Sequence, residues 1–209
     1  TRGGLSGDGN LPNLYGCAYL GQCGVTVPGT DNHFIYVQQP IALITFDNYS
    51  REYGLPNPVF TFTVSGAILG DSAANVASGT GTTTATIGSN VGNYPITGNF
   101  TSAAGYQIRF APGTLAITPA MLLFTADSFV RYLGTDNPLF TGTVTGFRNG
   151  DTVQSVFGNG VIWTSPAGIL SPIGFYPING GTSATNYVFT QAPAGARTEM
   201  VVTAAEMEK

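Results

Sequence analysis

The chain has 209 residues, of which 43% are hydrophobic and only 9% charged, with 29 glycines and 13 prolines. Its surface must therefore be covered by Thr, Ser, Asn and Gly, a composition that favours short strands and many turns over long helices. The net charge of −4 and seven scattered Arg and Lys leave no basic patch to neutralise phosphates, which excludes nucleic acid as a partner, and no run reaches the roughly 18 apolar residues of a membrane-spanning helix.

Residues 1–40 are Gly-rich and turn-rich and hold both cysteines, Cys17 and Cys23. Two cysteines and no others fit a single disulfide in an oxidising compartment, and a loop this short would contribute only about 2 kcal/mol. A metal site at this pair is a weaker reading, since His33 is the one histidine and zinc wants four ligands. The apolar, β-branched stretch from His33 to Gln38 predicts a strand. Its partner could lie in the leader, in the following domain or in another molecule. In the last case Phe34, Ile35, Tyr36 and Val37 would form a donated strand that completes a neighbour's sheet.

From residue 41 the pattern changes. Ile41 to Phe46 predicts a strand, and the segment from Tyr53 to Pro58, with two prolines, a rigid turn. Phe60, Phe62 and Val64 alternate with Thr61 and Thr63, which predicts a half-buried strand. Asp71 is expected to cap a short helix running to about Ser78, with Gly79 as its stop. Thr-rich residues 82–87 read as a strand, Tyr94-Pro95-Ile96 as an edge strand because Pro95 cannot donate to a ladder, and Tyr106 to Phe110 as another alternating strand before Leu115 and Ile117. Leu122 to Phe124, Phe140 to Val144, a helical turn at 151–157, Tyr187 to Phe189 and Met200 to Val202 then repeat the series. Residues 204–209 are expected to fray.

The second series is a copy of the first. Tyr53-Gly54-Leu55-Pro56-Asn57-Pro58-Val59-Phe60 recurs, with one residue inserted, as Tyr132-Leu133-Gly134-Thr135-Asp136-Asn137-Pro138-Leu139-Phe140. Asp47 and Asp127, Arg51 and Arg131, Gly66 and Gly146, and Gly70-Asp71 and Gly150-Asp151 share one offset. Gly92-Asn93-Tyr94-Pro95-Ile96 returns as Gly174-Phe175-Tyr176-Pro177-Ile178, and Tyr106 as Tyr187. A fixed period makes each copy one structural unit, so the chain divides into a leader (1–40), a first repeat (41–119) and a second repeat (120–209).

The order Ile44-Thr45-Phe46, Tyr53-Gly54, Asn57-Pro58, Gly66, Gly70-Asp71, Gly92 to Ile96, Gly113-Thr114-Leu115 and Ile117-Thr118-Pro119 resembles the MBG domain of YGX type, the mucin-binding β-grasp repeat of large bacterial surface adhesins, including filamentous-haemagglutinin-like exoproteins. The resemblance implies a mainly β fold: two tandem β-grasp-like repeats with one short helix each, behind a Gly-rich, disulfide-bearing leader. It implies an extracellular, bacterial cell-surface role in adhesion or as a stalk. It also adds a third reading of Cys17 and Cys23, a secretion hook that holds an exoprotein at its outer-membrane pore. From the residues alone, a small sandwich fits the strand order equally well.

Reactive chemistry is sparse. Nucleophilic catalysis pairs Ser or Cys with a positioned His, and the one histidine, His33, stands only near Asp31, a turn residue; no Gly-x-Ser-x-Gly or phosphate-loop motif occurs. Asp47, Asp127, Asp71 and Asp151 recur in step, as residues that anchor turns do, although a glycosidase pair formed across loops stays open. Asp8, Asn10, Asp31 and Asn32 could supply a few calcium ligands, fewer than the six to eight oxygens that calcium takes. No cofactor or metal is expected, and no enzymatic activity. Trp163 is the best single contact residue for a sugar or protein ligand, followed by Tyr132 and Asn137, although a lone large aromatic in a small domain is more often core. The expected function is an adhesin or stalk module whose partners are a glycan or protein of a host or neighbouring cell, or copies of itself. The alternative is a fibre subunit joined to its neighbours by strand exchange.

Overall fold

The computed structural model describes residues 13–17, 23–26, 35–193 and 199–204. These are mainly β and fall into two compact units. The first comprises Thr1–Ser50, Asn57–Ala85 and Asn93–Ala116, and the second Arg51–Pro56, Thr86–Gly92 and Ile117–Lys209.

In chain order the first half carries β1 (Leu14–Tyr15), β2 (Ile35–Tyr36), β3 (Ile41–Phe46), β4 (Tyr49–Glu52), β5 (Phe62–Ser65), α1 (Ala73–Val76), β6 (Ser78–Thr83), β7 (Gly92–Thr101), β8 (Gln107–Ala111) and β9 (Gly113–Thr118). One sheet has the order β5-β3-β8, antiparallel on one side of β3 and parallel on the other. The second has the order β4-β9-β7-β6. Along β3 every second side chain is buried, Ala42, Ile44 and Phe46, as the alternation predicts. Ile96, Leu115 and Ile117 are buried from the other sheet, and the Phe46 and Phe100 rings meet edge to face at 6.0 Å. Each fully buried aliphatic side chain of this kind contributes about 1.5–3 kcal/mol.

Four local expectations shift. Helix α1 is capped by Ser72, whose side chain accepts from the Asn75 N–H, because the Asp71 carboxylate is occupied elsewhere. Strand β7 is interior to its sheet, not at an edge. Pro95 is tolerated because β6 pairs only as far as Ile96, leaving the proline beyond the end of that ladder. Strand β6 starts at Ser78, not at 82. Its glycines stand where side chains cannot: a Cβ at Gly81 would meet Phe60 Cβ at 2.8 Å and the Phe46 ring at 3.0 Å, so those rings fill the space. Strand β5 begins at Phe62, two residues after the start of the alternation.

The leader joins the first unit. β1 and β2 pair in parallel, Leu14 with Ile35 and Tyr15 with Tyr36, and Cys17 and Cys23 are joined by a disulfide. Of the residues 204–209 expected to fray, 205–209 lie outside the described residues.

The second half repeats the plan with β10 (Ala120–Ala126), β11 (Phe129–Tyr132), β12 (Gly142–Thr145), α2 (Val153–Phe157), β13 (Ile162–Thr164), β14 (Gly174–Pro177), β15 (Asn179–Gly181), β16 (Tyr187–Gln191) and β17 (Glu199–Thr203). The order β12-β10-β16 reproduces β5-β3-β8, and β11-β17-β14 reproduces β4-β9-β7. Where β7 runs unbroken, β14 and β15 are separated at Ile178, and β15 pairs with β13. Helix α2 has a reciprocal capping box between Thr152 and Ser155. Its core joins Ala126, Phe140, Ala167, Ile178, Met200 and Val202, with Phe129, Trp163 and Tyr176 packed against it.

Candidate functional site

The carboxylates that recur in step are acceptors for tyrosine hydroxyls. In the first unit Asp71 receives the hydroxyls of Tyr106 at 2.6 Å and Tyr15 at 2.8 Å, and the Asn13 side-chain amide at 2.5 Å. The ring of Tyr15 stands edge-on to Tyr106 with centroids 5.0 Å apart and stacks on Tyr36 at 5.1 Å. In the second unit Asp151 receives Tyr187 at 2.7 Å and Tyr53 at 3.0 Å, and these two rings also meet edge to face, at 5.4 Å. Tyr15, Tyr53, Tyr106 and Tyr187 are all buried. Burial disfavours the phenolate forms of Tyr15, Tyr106 and Tyr187, and the facing carboxylate disfavours them further. The Tyr15 and Tyr106 hydroxyls are therefore held above the ordinary tyrosine range, and Tyr187 is pushed up to about 12. Chemically each group is a lock: buried phenol hydroxyls donate together to one carboxylate.

The turn after β11 holds a second recurring arrangement. Arg131 is buried; its Nε donates to Asn137 Oδ1 at 2.8 Å, and its guanidinium also donates to the carbonyls of Tyr132 and Gly168. The Asn137 amide donates in turn to the Ala167 carbonyl at 2.6 Å. In the first repeat Arg51 donates to the carbonyls of Glu52 and Thr86, and Asn57 to that of Ala85. Asp47 and Asp127 take the hydroxyls of Thr61 and Thr141, 14 residues on in each case.

The residues singled out from sequence are scattered. Trp163 pairs with Gly180 on β15 and turns inward, its ring filling the space left by Gly142 and Gly180 and meeting Phe124 at 5.8 Å. Asn137 has both ends of its amide engaged in the turn. Tyr132 carries an exposed ring at the end of β11. Ile35 and Tyr36 are paired with β1, Val37 is exposed beyond them, and Phe34 lies outside the described residues. Asp8, Asn10, Asp31, Asn32 and His33 lie outside them too. Among the described residues no group of three or more His, Cys, Asp or Glu is placed to hold a metal ion, and no helix is long and apolar enough to cross a membrane.

Sequence reading missed the tyrosines. Tyr106 and Tyr187 recur with Asp71 and Asp151, and that coupled recurrence was the available signal. The third members, Tyr15 and Tyr53, precede a glycine of positive φ in Tyr15-Gly16 (φ 72°) and Tyr53-Gly54 (φ 76°), so a short echo in the leader also marked them.

The structure also corrects the alignment of the repeats. Tyr53 donates its N–H to the Thr118 carbonyl, and Leu133, not Tyr132, makes the equivalent bond to Thr203, both at 2.9 Å. Leu133 occupies the position of Tyr53, and Tyr132 that of Glu52. Matching identical letters had placed an insertion there that the backbone does not contain.

Two cavities adjoin the locks. One of about 310 Å³ in the first unit is lined by Tyr15, Tyr36, Gln38, Gln39, Ile68 and Leu69 among others. The other, about 230 Å³, lies in the second unit beside Tyr53, Asn90, Asp151, Ser155, Asn186 and Tyr187.

No curated protein and no solved structure matches the chain. The family described as MBG domain (YGX type) matches twice, at residues 42–116 and 122–195, over the two units of the internal repeat. The chain therefore belongs to the MBG domain family of YGX type, as two tandem copies.

Proposed function

We propose that the chain is a non-enzymatic module of a bacterial cell surface, an extracellular adhesin or stalk segment of the kind carried by filamentous-haemagglutinin-like exoproteins. The observation that carries this reading is the use of the recurring carboxylates. Asp71 and Asp151 hold tyrosine hydroxyls, and Asp47 and Asp127 hold threonine hydroxyls, so each is spent on joining parts of the fold. Membership of a family of surface-associated binding modules supports the same reading.

The binding surface would lie on groups that the fold leaves open. Tyr132 offers an exposed ring, and the 310 Å³ cavity combines Tyr36 with the Gln38 and Gln39 amides, the pairing of aromatic face and polar edge that suits a sugar. Trp163, half-buried against the core, would shape this surface more than touch a ligand. The disulfide serves as a plain structural loop of the leader.

The test is adhesion of beads coated with the chain to immobilised mucin and to a glycan panel. Binding is expected, and Tyr132→Ala or Gln38→Ala should weaken it several-fold with an unchanged far-UV spectrum. Absence of binding to any glycan or mucin surface would remove the adhesin reading and leave the stalk.

A further inference from the structure

The second unit shows what the end of a repeat is for. Residues 51–56 and 86–92 cradle the turn at 148–151: Tyr53 bonds Asp151, Glu52 faces Arg148 at 3.6 Å, and Gly54 makes room for the Arg148 side chain. Beside them Asn186 accepts from the Val91 N–H at 3.0 Å and donates to Asn90 at 2.9 Å.

The second repeat possesses the same end. Its residues 132–134 match 52–54, and 168–174 match 86–92, because Gly168 N–H to Ser171 Oγ repeats Thr86 N–H to Ser89 Oγ. Here the surface is apolar and open among the described residues. Leu133 is 48% exposed, Ile169 46%, Leu170 83% and Ile173 60%. The polar Glu52 and Tyr53 have become Tyr132 and Leu133.

In the first unit, the turn equivalent to 148–151 is 68–71. Leu69 and Asn149 share φ 54°, and the N–H of Asp71 and of Asp151 closes each turn on the residue three before it. This turn too is apolar where its counterpart is polar, with Ile68 and Leu69 in place of Arg148 and Asn149, both partly exposed. Its cradle is supplied by the leader. Tyr15-Gly16 does for Asp71 and Tyr106 what Tyr53-Gly54 does for Asp151 and Tyr187, down to the positive φ of the glycine.

We propose that the apolar end formed by residues 132–134 and 168–173 docks onto the Ile68–Asp71 turn of a second copy of this chain, and that the leader is its intramolecular competitor. The complementarity is that of the inner joint with polarity exchanged: Tyr132 and Leu170 meet Ile68 and Leu69 as Glu52 and Gly88 meet Arg148 and Asn149, and Leu133 stands over Asp71 where Tyr53 stands over Asp151. The contact is head to tail and does not close on itself, so uncapped copies add into a chain of copies. Leu133 carries no hydroxyl, whereas the leader brings Tyr15 and Asn13 to Asp71, so the capped chain stays single. This inference goes beyond the adhesin reading and does not depend on any ligand.

The test is native mass by size exclusion with light scattering over a concentration series. The wild type should be monomeric. The full-length double variant Asn13→Ala/Tyr15→Phe should form concentration-dependent oligomers, and adding Leu133→Asp and Leu170→Asp should return it to monomer. A double variant that keeps its β spectrum yet stays monomeric at every concentration overturns the proposal, as do oligomers that persist with the two aspartates. Should the double variant fail to fold, Leu133→Tyr combined with Tyr15→Phe alone removes the leader's hydroxyl from Asp71 and supplies the missing one at the docking end. Oligomers there support the docking geometry, and a strict monomer refutes it.

Discussion

Tyr187 donates its hydroxyl to Asp151 at 2.7 Å while the same oxygen accepts the Arg148 N–H at 3.0 Å, so one buried phenol ties a turn and a carboxylate together. Tyr53 reaches that carboxylate from another part of the chain.

Removing either hydroxyl should therefore be felt in stability. A hydrogen bond to a charged group is worth about 1.5–3 kcal/mol, so Tyr187→Phe should cost about 2–3 kcal/mol and Tyr53→Phe about 1.5–2 kcal/mol. The double variant should cost less than the sum, because the two share one acceptor. Urea unfolding of the four proteins measures the coupling, and strict additivity would show that the hydroxyls act independently.

The lock also sets an alkaline limit. Burial and the Asp151 hydrogen bond raise the Tyr187 hydroxyl from 10.0 to about 12, so the native state holds a proton that the unfolded state releases earlier. Its contribution is whole below pH 10 and is lost as pH rises towards 12. Thermal midpoints from this group should be level up to about pH 9 and fall through the 10–12 window. Tyr187→Phe should flatten that part of the fall, while the upward-held Tyr15 and Tyr106 keep a residual slope.

Asn137→Ala should destabilise the turn of the second repeat by about 2–3 kcal/mol, since it strips an acceptor from the buried Arg131 guanidinium and a donor from the Ala167 carbonyl. Hydrogen exchange should locate the loss at residues 132–138 and 167–168. An equal loss over the whole repeat would show that the clamp belongs to its global folding unit.

Two glycines of similar backbone should behave differently. Gly66 has φ 91°, and a Cβ there would land on the Ile41 carbonyl; Gly150 has φ 76° with open space around it. Gly150→Ala should cost about 1 kcal/mol of backbone strain. Gly66→Ala should cost several times more, because β3 must move, and melting temperatures of the pair compare the two directly.

Much of the fold was legible because alternation and repetition are local signals. Ala42, Ile44 and Phe46 announce their burial by spacing alone, and the Gly70-Asp71 and Gly150-Asp151 pairs announce equivalent turns. The locks were not legible, because their members are brought together from afar: Tyr15 reaches Asp71 across 56 residues and Tyr53 reaches Asp151 across 98. Identical letters misled at Tyr132, where two backbone hydrogen bonds define equivalence better than side-chain identity. Pro95 misled for a related reason: its lost donor excludes a ladder bond on one side only, and the short reach of β6 supplies the place where that side is free.

The parallel pairings have a mechanical consequence. In the second repeat the first strand, β10, lies parallel to β16, and the last strand, β17, lies parallel to β11 over four residue pairs, Phe129 with Met200 through Tyr132 with Thr203. Traction applied at the two ends of the repeat pulls each terminal strand along its own axis against a parallel neighbour. The backbone hydrogen bonds of that ladder are then strained together in shear, whereas a peeled hairpin gives way one bond at a time. Resistance to such traction is governed by the rate of forced unfolding, and here it is built into the strand order itself.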